Sequence, residues 1–233
     1  MESFDVLVLG SGPAGGKIAA GLARAGLQVG IADDPVGGTC ALRGCNPKKV
    51  LVSQADLLDR ARRLHGHGLR ADTASLDWGA LIRFAREFTD PVPEKTTRGL
   101  EAAGARVIRG HGRFTGPRTL QVGEAEVTAD TVVVATGSAP IPLPFPGADL
   151  LLDSAGLFQR EDLPRRVVFV GAGYVATELA SVARLAGAEV TLLEMGPRLL
   201  PLFDPDLAHR LADLLRASGL ELRLGHTVTG VER

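Results

Sequence analysis

The amino-acid sequence predicts an α/β fold made of two tandem strand–turn–helix–strand units, the second of them incomplete. Two observations carry this. A short apolar run leading into a glycine turn and an alanine-rich stretch occurs near the N-terminus and recurs after residue 165. In each copy the next apolar run ends on an acid, Asp33 or Glu194, 23 residues beyond the first glycine of its turn, Gly10 or Gly171. A hydrophobic content of 45% with 29 glycines among 233 residues suits a globular chain of one or two domains.

Taken in order, residues 4–9 form a short apolar run that reads as a buried strand. Gly10-Ser11-Gly12-Pro13-Ala14-Gly15 is the turn, a helix runs on to about Ala25, and residues 29–32 return as a strand ending at Asp33. Glycines there allow a tight turn and close approach of backbone N–H groups to a pyrophosphate. The helix N-terminus favours its charge, and the terminal acid can accept from a ribose hydroxyl. In the second copy residues 166–170 are a strand, Gly171-Ala172-Gly173-Tyr174-Val175-Ala176 the turn, 177–185 a helix and 189–193 a strand ending at Glu194. Ala176 stands where the third glycine would be, a variant the fingerprint accepts. One Gly-x-Gly-x-x-Gly is weak, but two at equal spacing, each between a strand and a helix, mark two Rossmann-like dinucleotide-binding units.

Between the units, residues 48–63 read as a helix with Val50, Leu51, Ala55, Leu57, Leu58 and Ala61 as apolar positions. A long helix opens at Asp77-Trp78, breaks near Pro91 and Pro93 and resumes to Ala103. Short strands follow at 106–114, 119–122 and 126–127. Pro140, Pro142, Pro144 and Pro146 make a stiff, extended crossover. A helix at about 205–218 and a strand at 220–224 come after Glu194. The expected domains are 1–140, a linker 141–164, and 165–233.

Both cysteines, Cys40 and Cys45, lie in the glycine-framed loop from Gly37 to Lys49. Two are too few for a disulfide-stapled secreted scaffold or a zinc site of four thiolates. On a regular helix, residues five apart are separated by about 7.5 Å along the axis. A disulfide needs Cα atoms within about 6.8 Å. The two can therefore bond only where the helix is distorted, which Gly37, Gly38 and Gly44 permit. The spacing leaves open the alternative of two reduced cysteines acting as small hydrophobes.

On these residues the chain resembles the N-terminal half of the group I pyridine nucleotide-disulfide oxidoreductases, a family that includes dihydrolipoamide dehydrogenase, glutathione reductase and mercuric reductase. The most specific match is Gly38-Thr39-Cys40 through Gly44-Cys45 to Pro47 and Lys49, and residues 132–138 match the family's strand-ATG segment. The resemblance implies an FAD-dependent NAD(P)H:disulfide oxidoreductase. Electrons would pass between NAD(P)H, FAD, a Cys40–Cys45 redox disulfide and a small thiol or disulfide substrate. Gly10, Ser11, Gly12, Pro13, Ala14 and Gly15 would line the FAD pyrophosphate, with Asp33 on the ribose. Gly38, Thr39, Gly112, Ala135, Thr136 and Gly137 would lie near the same cofactor. Gly171, Gly173, Tyr174, Val175 and Glu194 would hold the nicotinamide nucleotide, Tyr174 gating its pocket. Cys45 would be the flavin-proximal thiolate and Cys40 the exchanging thiol. Lys49 would sit beside the flavin N5 and pair with Glu178. From the residues alone, a non-catalytic FAD- or NAD-binding module with idle cysteines is the alternative.

Glu194 favours NADH, since an acid would repel a 2′-phosphate, while Arg198 leaves NADPH open. Pro13 and Ala20 stand where glutathione reductases carry a serine and an arginine, which argues against glutathione; Pro47-Lys48-Lys49 is closer to the glutathione reductase loop. The substrate is left undecided. Full-length members are expected to be homodimers that continue with a dimerisation domain carrying a His–Glu acid-base pair. None of His65, His67, His111, His209 and His226 lies in a matching motif, so the sequence reads as a fragment without full activity. A net charge of −1 and a pI near 6.5 argue against nucleic acid or an anionic membrane as partner. With no apolar run of about 18 residues and no signal peptide, the expected compartment is the cytoplasm. No metal-ligand spacing is present.

Overall fold

The computed structural model describes all 233 residues. Its contacts divide the chain into two compact units, residues 1–47 with 86–139, and residues 48–85 with 140–233.

The first unit is built on a six-stranded sheet. In chain order its strands are β1 (Glu2–Leu9), β2 (Val29–Asp33), β3 (Arg106–Arg109), β4 (Gly112–Phe114), β5 (Thr119–Val122) and β6 (Ala125–Val134). They lie in the order β3-β2-β1-β6-β5-β4. The four strands from β3 to β6 by way of β1 run parallel, and β5 is antiparallel to both β6 and β4. Central β1 is apolar on both faces, as a covered parallel strand must be. Val6 and Val8 join Ala19 of helix α1 (Pro13–Arg24) and Leu100 of helix α5 (Val92–Ala102) in one core. Leu7 and Leu9 join Leu120, Val122 and Val127 in another. Two short strands expected at 126–127 and 132–134 are one ten-residue strand, β6. Its polar middle, Thr128 to Thr131, hides the continuity. Ala129 is buried there between half-buried Thr128 and exposed Asp130, while the strand pairs with β1 from Val127 to Val134.

The disulfide loop lies in a short helix α2 (Gly38–Arg43) and the start of helix α3 (Cys45–Arg63). The rest of α3 and most of α4 (Trp78–Thr89) belong to the second unit. Residues 48–85, read from the sequence as part of the first domain, group here because Leu51, Ala55, Trp78, Leu81, Ile82 and Ala85 enter one core with Leu179, Val182 and Leu192. The indole N–H of Trp78 also donates to the Arg160 carbonyl at 2.9 Å.

The second unit's sheet holds β7 (Arg166–Val170), β8 (Glu189–Glu194) and β9 (Glu221–Leu224), all parallel, in that order. Helices α7 (Tyr174–Leu185) and α8 (Pro205–Ala217) make the two crossovers, and a short helix α6 (Ser154–Leu157) precedes β7. Val168 and Val170 on β7 are 57% and 36% exposed. No helix is long and apolar enough to cross a membrane.

Candidate active site

Three local arrangements hold the residues singled out by sequence. The first is the turn between β1 and α1. Gly10 has φ +99°, and a Cβ there would lie 2.3 Å from the Ala135 carbonyl oxygen. A Cβ at Gly15 would lie 1.9 Å from the Gly10 carbonyl oxygen, and one at Gly38 2.4 Å from Gly12 Cα. Side chains are excluded because backbone meets backbone. The end of β6 is drawn in by the Ala135 N–H, which donates to Leu9 O at 2.8 Å, and the Gly10 N–H donates to Ala32 O at 2.8 Å. Gly10, Gly12, Gly15, Gly38 and Ala135 thus meet, with Thr136 and Gly137 next along the chain. Gly112 packs on the same strand end, where a Cβ would lie 2.6 Å from Leu9 Cδ2. Asp33 reaches back to this turn: its Oδ2 accepts from the Ser11 N–H at 2.7 Å and the Ser11 hydroxyl at 2.5 Å. The Ser11 oxygen in turn accepts from the Gly37 N–H at 2.7 Å. This chain of bonds, through a residue only 4% exposed, ties the head of the cysteine loop to the glycine turn. The spacing did not reveal it.

A second turn lies between β7 and α7. Gly171 has φ +94°, and a Cβ at Gly171 or Gly173 would meet nothing within 4 Å. Glu194 spans the turn, accepting from the Ala172 N–H at Oε2 and the Gly196 N–H at Oε1, both at 2.8 Å. Arg198 is committed elsewhere, its guanidinium donating to Phe203 O at 2.9 Å and Pro201 O at 2.6 Å. Val175 is half-buried in the first turn of α7.

Both glycine turns lead into helices with no side-chain cap and no acid in the first turn. By contrast Asp153 and Asp204 cap α6 and α8. The first-turn N–H groups of α1 and α7, such as those of Ala14 and Tyr174, are therefore suited to an anion that the chain does not itself supply, while Pro13 contributes no N–H and presets the first helical φ. A dinucleotide pyrophosphate fits that requirement twice.

The third arrangement is the cysteine loop. Cys40 in α2 and Cys45 at the head of α3 form a disulfide with Cα atoms 4.7 Å apart, leaving no free cysteine. The helix is interrupted at Gly44, between the two, with φ −131° and ψ −106°. A Cβ there would lie 2.9 Å from Thr39 O. The distortion expected for pairing is thus located at one glycine. Thr39 and Cys45 are exposed and Cys40 half-buried, so the sulfurs' surroundings admit a reactant.

One pairing differs from expectation. Glu178 is engaged by Lys48, not Lys49: Lys48 Nζ lies 2.5 Å from Glu178 Oε2 and 4.6 Å from the Tyr174 ring centroid. Neighbouring helical residues point about 100° apart. On α3 the side of Lys48 faces α7, and Lys49 is exposed. No three His, Cys, Asp or Glu side chains cluster as a metal site.

Comparison with known proteins accords with this geometry. Residues 4–233 match the family model of the pyridine nucleotide-disulphide oxidoreductases. The chain is 34% identical over 231 residues to glutathione reductase of Burkholderia cepacia, covering 99% of this chain and 51% of that protein. It is 34% identical over 241 residues to dihydrolipoyl dehydrogenase of Thermus scotoductus, covering 100% and 51%. Among solved structures, a Cu(II) complex of the HOCl-induced flavoprotein disulfide reductase RclA from Escherichia coli superposes with a TM-score of 0.87 at 27% identity, covering 100% of this chain and 52% of that one. The chain spans about half the length of the curated relatives it matches. With two uncapped glycine turns and a formed disulfide beside these matches, the chain belongs to the pyridine nucleotide-disulphide oxidoreductase family.

Proposed function

We propose that this chain carries the FAD turn, the NADH turn and the redox disulfide of an NAD(P)H-dependent disulfide oxidoreductase. Residues 1–140 bind FAD through Gly10–Gly15 and Asp33, 141–164 cross over, and 165–233 begin a doubly wound nicotinamide-nucleotide domain. The carrying observation is one chain with two uncapped glycine turns, each spanned by its acid, and a disulfide at a helix break. One face of β7 is uncovered, with Val168 and Val170 exposed, which supports further structure packing on that face in the whole protein. NADH is favoured because Glu194 fronts the turn and Arg198 has its donors on two carbonyls.

When bound, the flavin and the reduced nicotinamide supply hydride and electron transfer. The chain's own part is thiol exchange. Two electrons and two protons convert the Cys40–Cys45 disulfide to two thiols. The Cys40 thiolate attacks one sulfur of an external disulfide, forming a mixed disulfide and releasing the other half as a thiol. Cys45, at the head of α3, then attacks the Cys40 sulfur as its thiolate, restores the internal disulfide and releases the second thiol. Lys48 is the lysine we assign to Glu178, in place of Lys49. A homodimeric whole protein acting in the cytoplasm on a small disulfide or dithiol completes the proposal.

The test is an anaerobic absorbance titration of the purified protein with NADH. A flavin band near about 450 nm giving way to a long-wavelength thiolate-to-flavin shoulder is expected. A protein that binds flavin but develops no shoulder, with both cysteines still disulfide-bonded after NADH, would refute the electron path.

A further inference from the structure

We infer that the cavity between α3, α7 and α8 is a binding site for an apolar-tailed carboxylate, with the tail among the aliphatic side chains of the three helices and the head on Arg62 and Arg184. The inference is independent of the nucleotide and disulfide readings, and every lining residue lies within the second unit.

The cavity holds about 400 Å³. Small-molecule sites usually span roughly 300–1,000 Å³. Its walls are apolar by helical spacing. Val52 and Ala55 face it from α3, Val182 and Leu185 from α7, and Leu211 and Leu215 from α8. Each pair is three or four residues apart and so lies on one side of its helix. Ala55, Val182 and Leu215 also belong to the unit's core, which fixes the floor in place. Leu214, 48% exposed, carries the apolar lining out to solvent. Packed interiors leave few gaps wider than a water molecule, so an apolar space of this size is shaped to take a ligand's body.

The charges around it decide the head group. Three acids line the cavity, and each is paired with a cation outside the lining. Asp56 meets Arg60 at 3.0 Å, Asp59 meets Arg63 at 2.8 Å, and Glu178 meets Lys48. The two arginines of the lining are held otherwise. Arg62 donates to the Ala74 carbonyl at 3.1 Å and Arg184 to the Gly219 carbonyl at 3.3 Å. A guanidinium has five N–H donors, so each keeps several, and a neutral carbonyl cancels no charge. The hydroxyls of Ser181 and Ser218 spend their protons on the Thr177 and Leu215 carbonyls. Spare donors and uncompensated charge therefore both sit on the arginines, which suits a carboxylate and opposes an ammonium.

The experiment titrates the full chain by calorimetry with three ligands of one tail, octanoate, octan-1-ol and octylammonium, and with acetate as the control without a tail. Octanoate should bind about tenfold or more tighter than each of the others. Arg62→Gln and Arg184→Gln should each weaken octanoate by about tenfold and leave octan-1-ol within about twofold of its wild-type affinity. Val52→Phe puts a larger side chain into the apolar wall and should weaken octanoate and octan-1-ol alike. If a thermal scan shows that Val52→Phe does not fold, the two arginine variants with the octan-1-ol control decide the matter. Octylammonium or acetate binding as tightly as octanoate, octanoate affinity untouched by both arginine variants, or no binding of octanoate at all would each overturn the site.

Discussion

Gly15→Ala offers a sharp test of why the first turn is built from glycine. The added Cβ would stand 1.9 Å from the Gly10 carbonyl oxygen and 3.2 Å from the Ala135 Cβ, so the turn must open by more than an ångström to admit it. Forcing a methyl group into closed packing costs about 1–3 kcal/mol or more. Alanine's better helix propensity returns at most about 1 kcal/mol. A net loss of about 2 kcal/mol lowers the melting temperature by roughly 4–8 °C for a chain of this size. Gly21 lies in the same helix with nothing within 4 Å of an added Cβ. There propensity acts alone, and Gly21→Ala should raise the melting temperature by up to about 4 °C. The assay is thermal unfolding followed by circular dichroism, with bound-flavin absorbance recorded in parallel. Under the proposed FAD reading Gly15→Ala should also lose flavin, because the first-turn N–H groups move with the turn. A Gly15→Ala protein that melts at or above wild type and keeps its flavin would refute the reasoning.

Further expectations concern single side chains. Cys45→Ser should expose Cys40 as one titratable thiol without prior reduction, where the wild-type chain shows none, and in the full-length protein it should abolish the proposed disulfide turnover while flavin stays bound; thiol titration and a disulfide-reduction assay check this. Glu194→Ala leaves the Ala172 and Gly196 N–H groups without their acceptor and should weaken NADH about tenfold, a loss of the size seen when polar groups lose their partners. Titrating NADPH alongside should show the preference between the two nucleotides narrowing. Asp204→Ala removes the acceptor for the Asp206 and Leu207 N–H groups at the head of α8. It should cost about 1 kcal/mol and lower the melting temperature by about 2–4 °C in a thermal scan.

What could be read from the sequence was whatever local spacing encodes. The glycine turns, the acids 23 residues on and the cysteine pair are short-range patterns, and the strands and helices around them fall within a few residues of expectation. What could not be read depends on distant packing. Choosing Lys48 over Lys49 requires knowing which side of α3 meets α7, a matter of about 100° on one helix. Residues 48–85 join the second unit through Leu51, Trp78 and Ile82, whose core partners lie a hundred residues away. Alternation of small and polar residues in the middle of β6 conceals one strand as two. Arg198 gave no sequence sign that two carbonyls of its own loop would occupy it.

The carboxylates of Asp33 and Glu194 have a consequence for the timing of free-energy costs. Each clasps the N–H next to the first glycine of its turn, a bond made wholly within the chain. Ordering of these loops therefore occurs once, as the chain folds, and is not repeated at each encounter with a ligand. A rigid cradle of this kind binds at rates governed by diffusion and charge rather than by loop closure. In the function proposed above, where nicotinamide is taken up and released every cycle, a turn preset by its own acid would keep exchange fast in both directions.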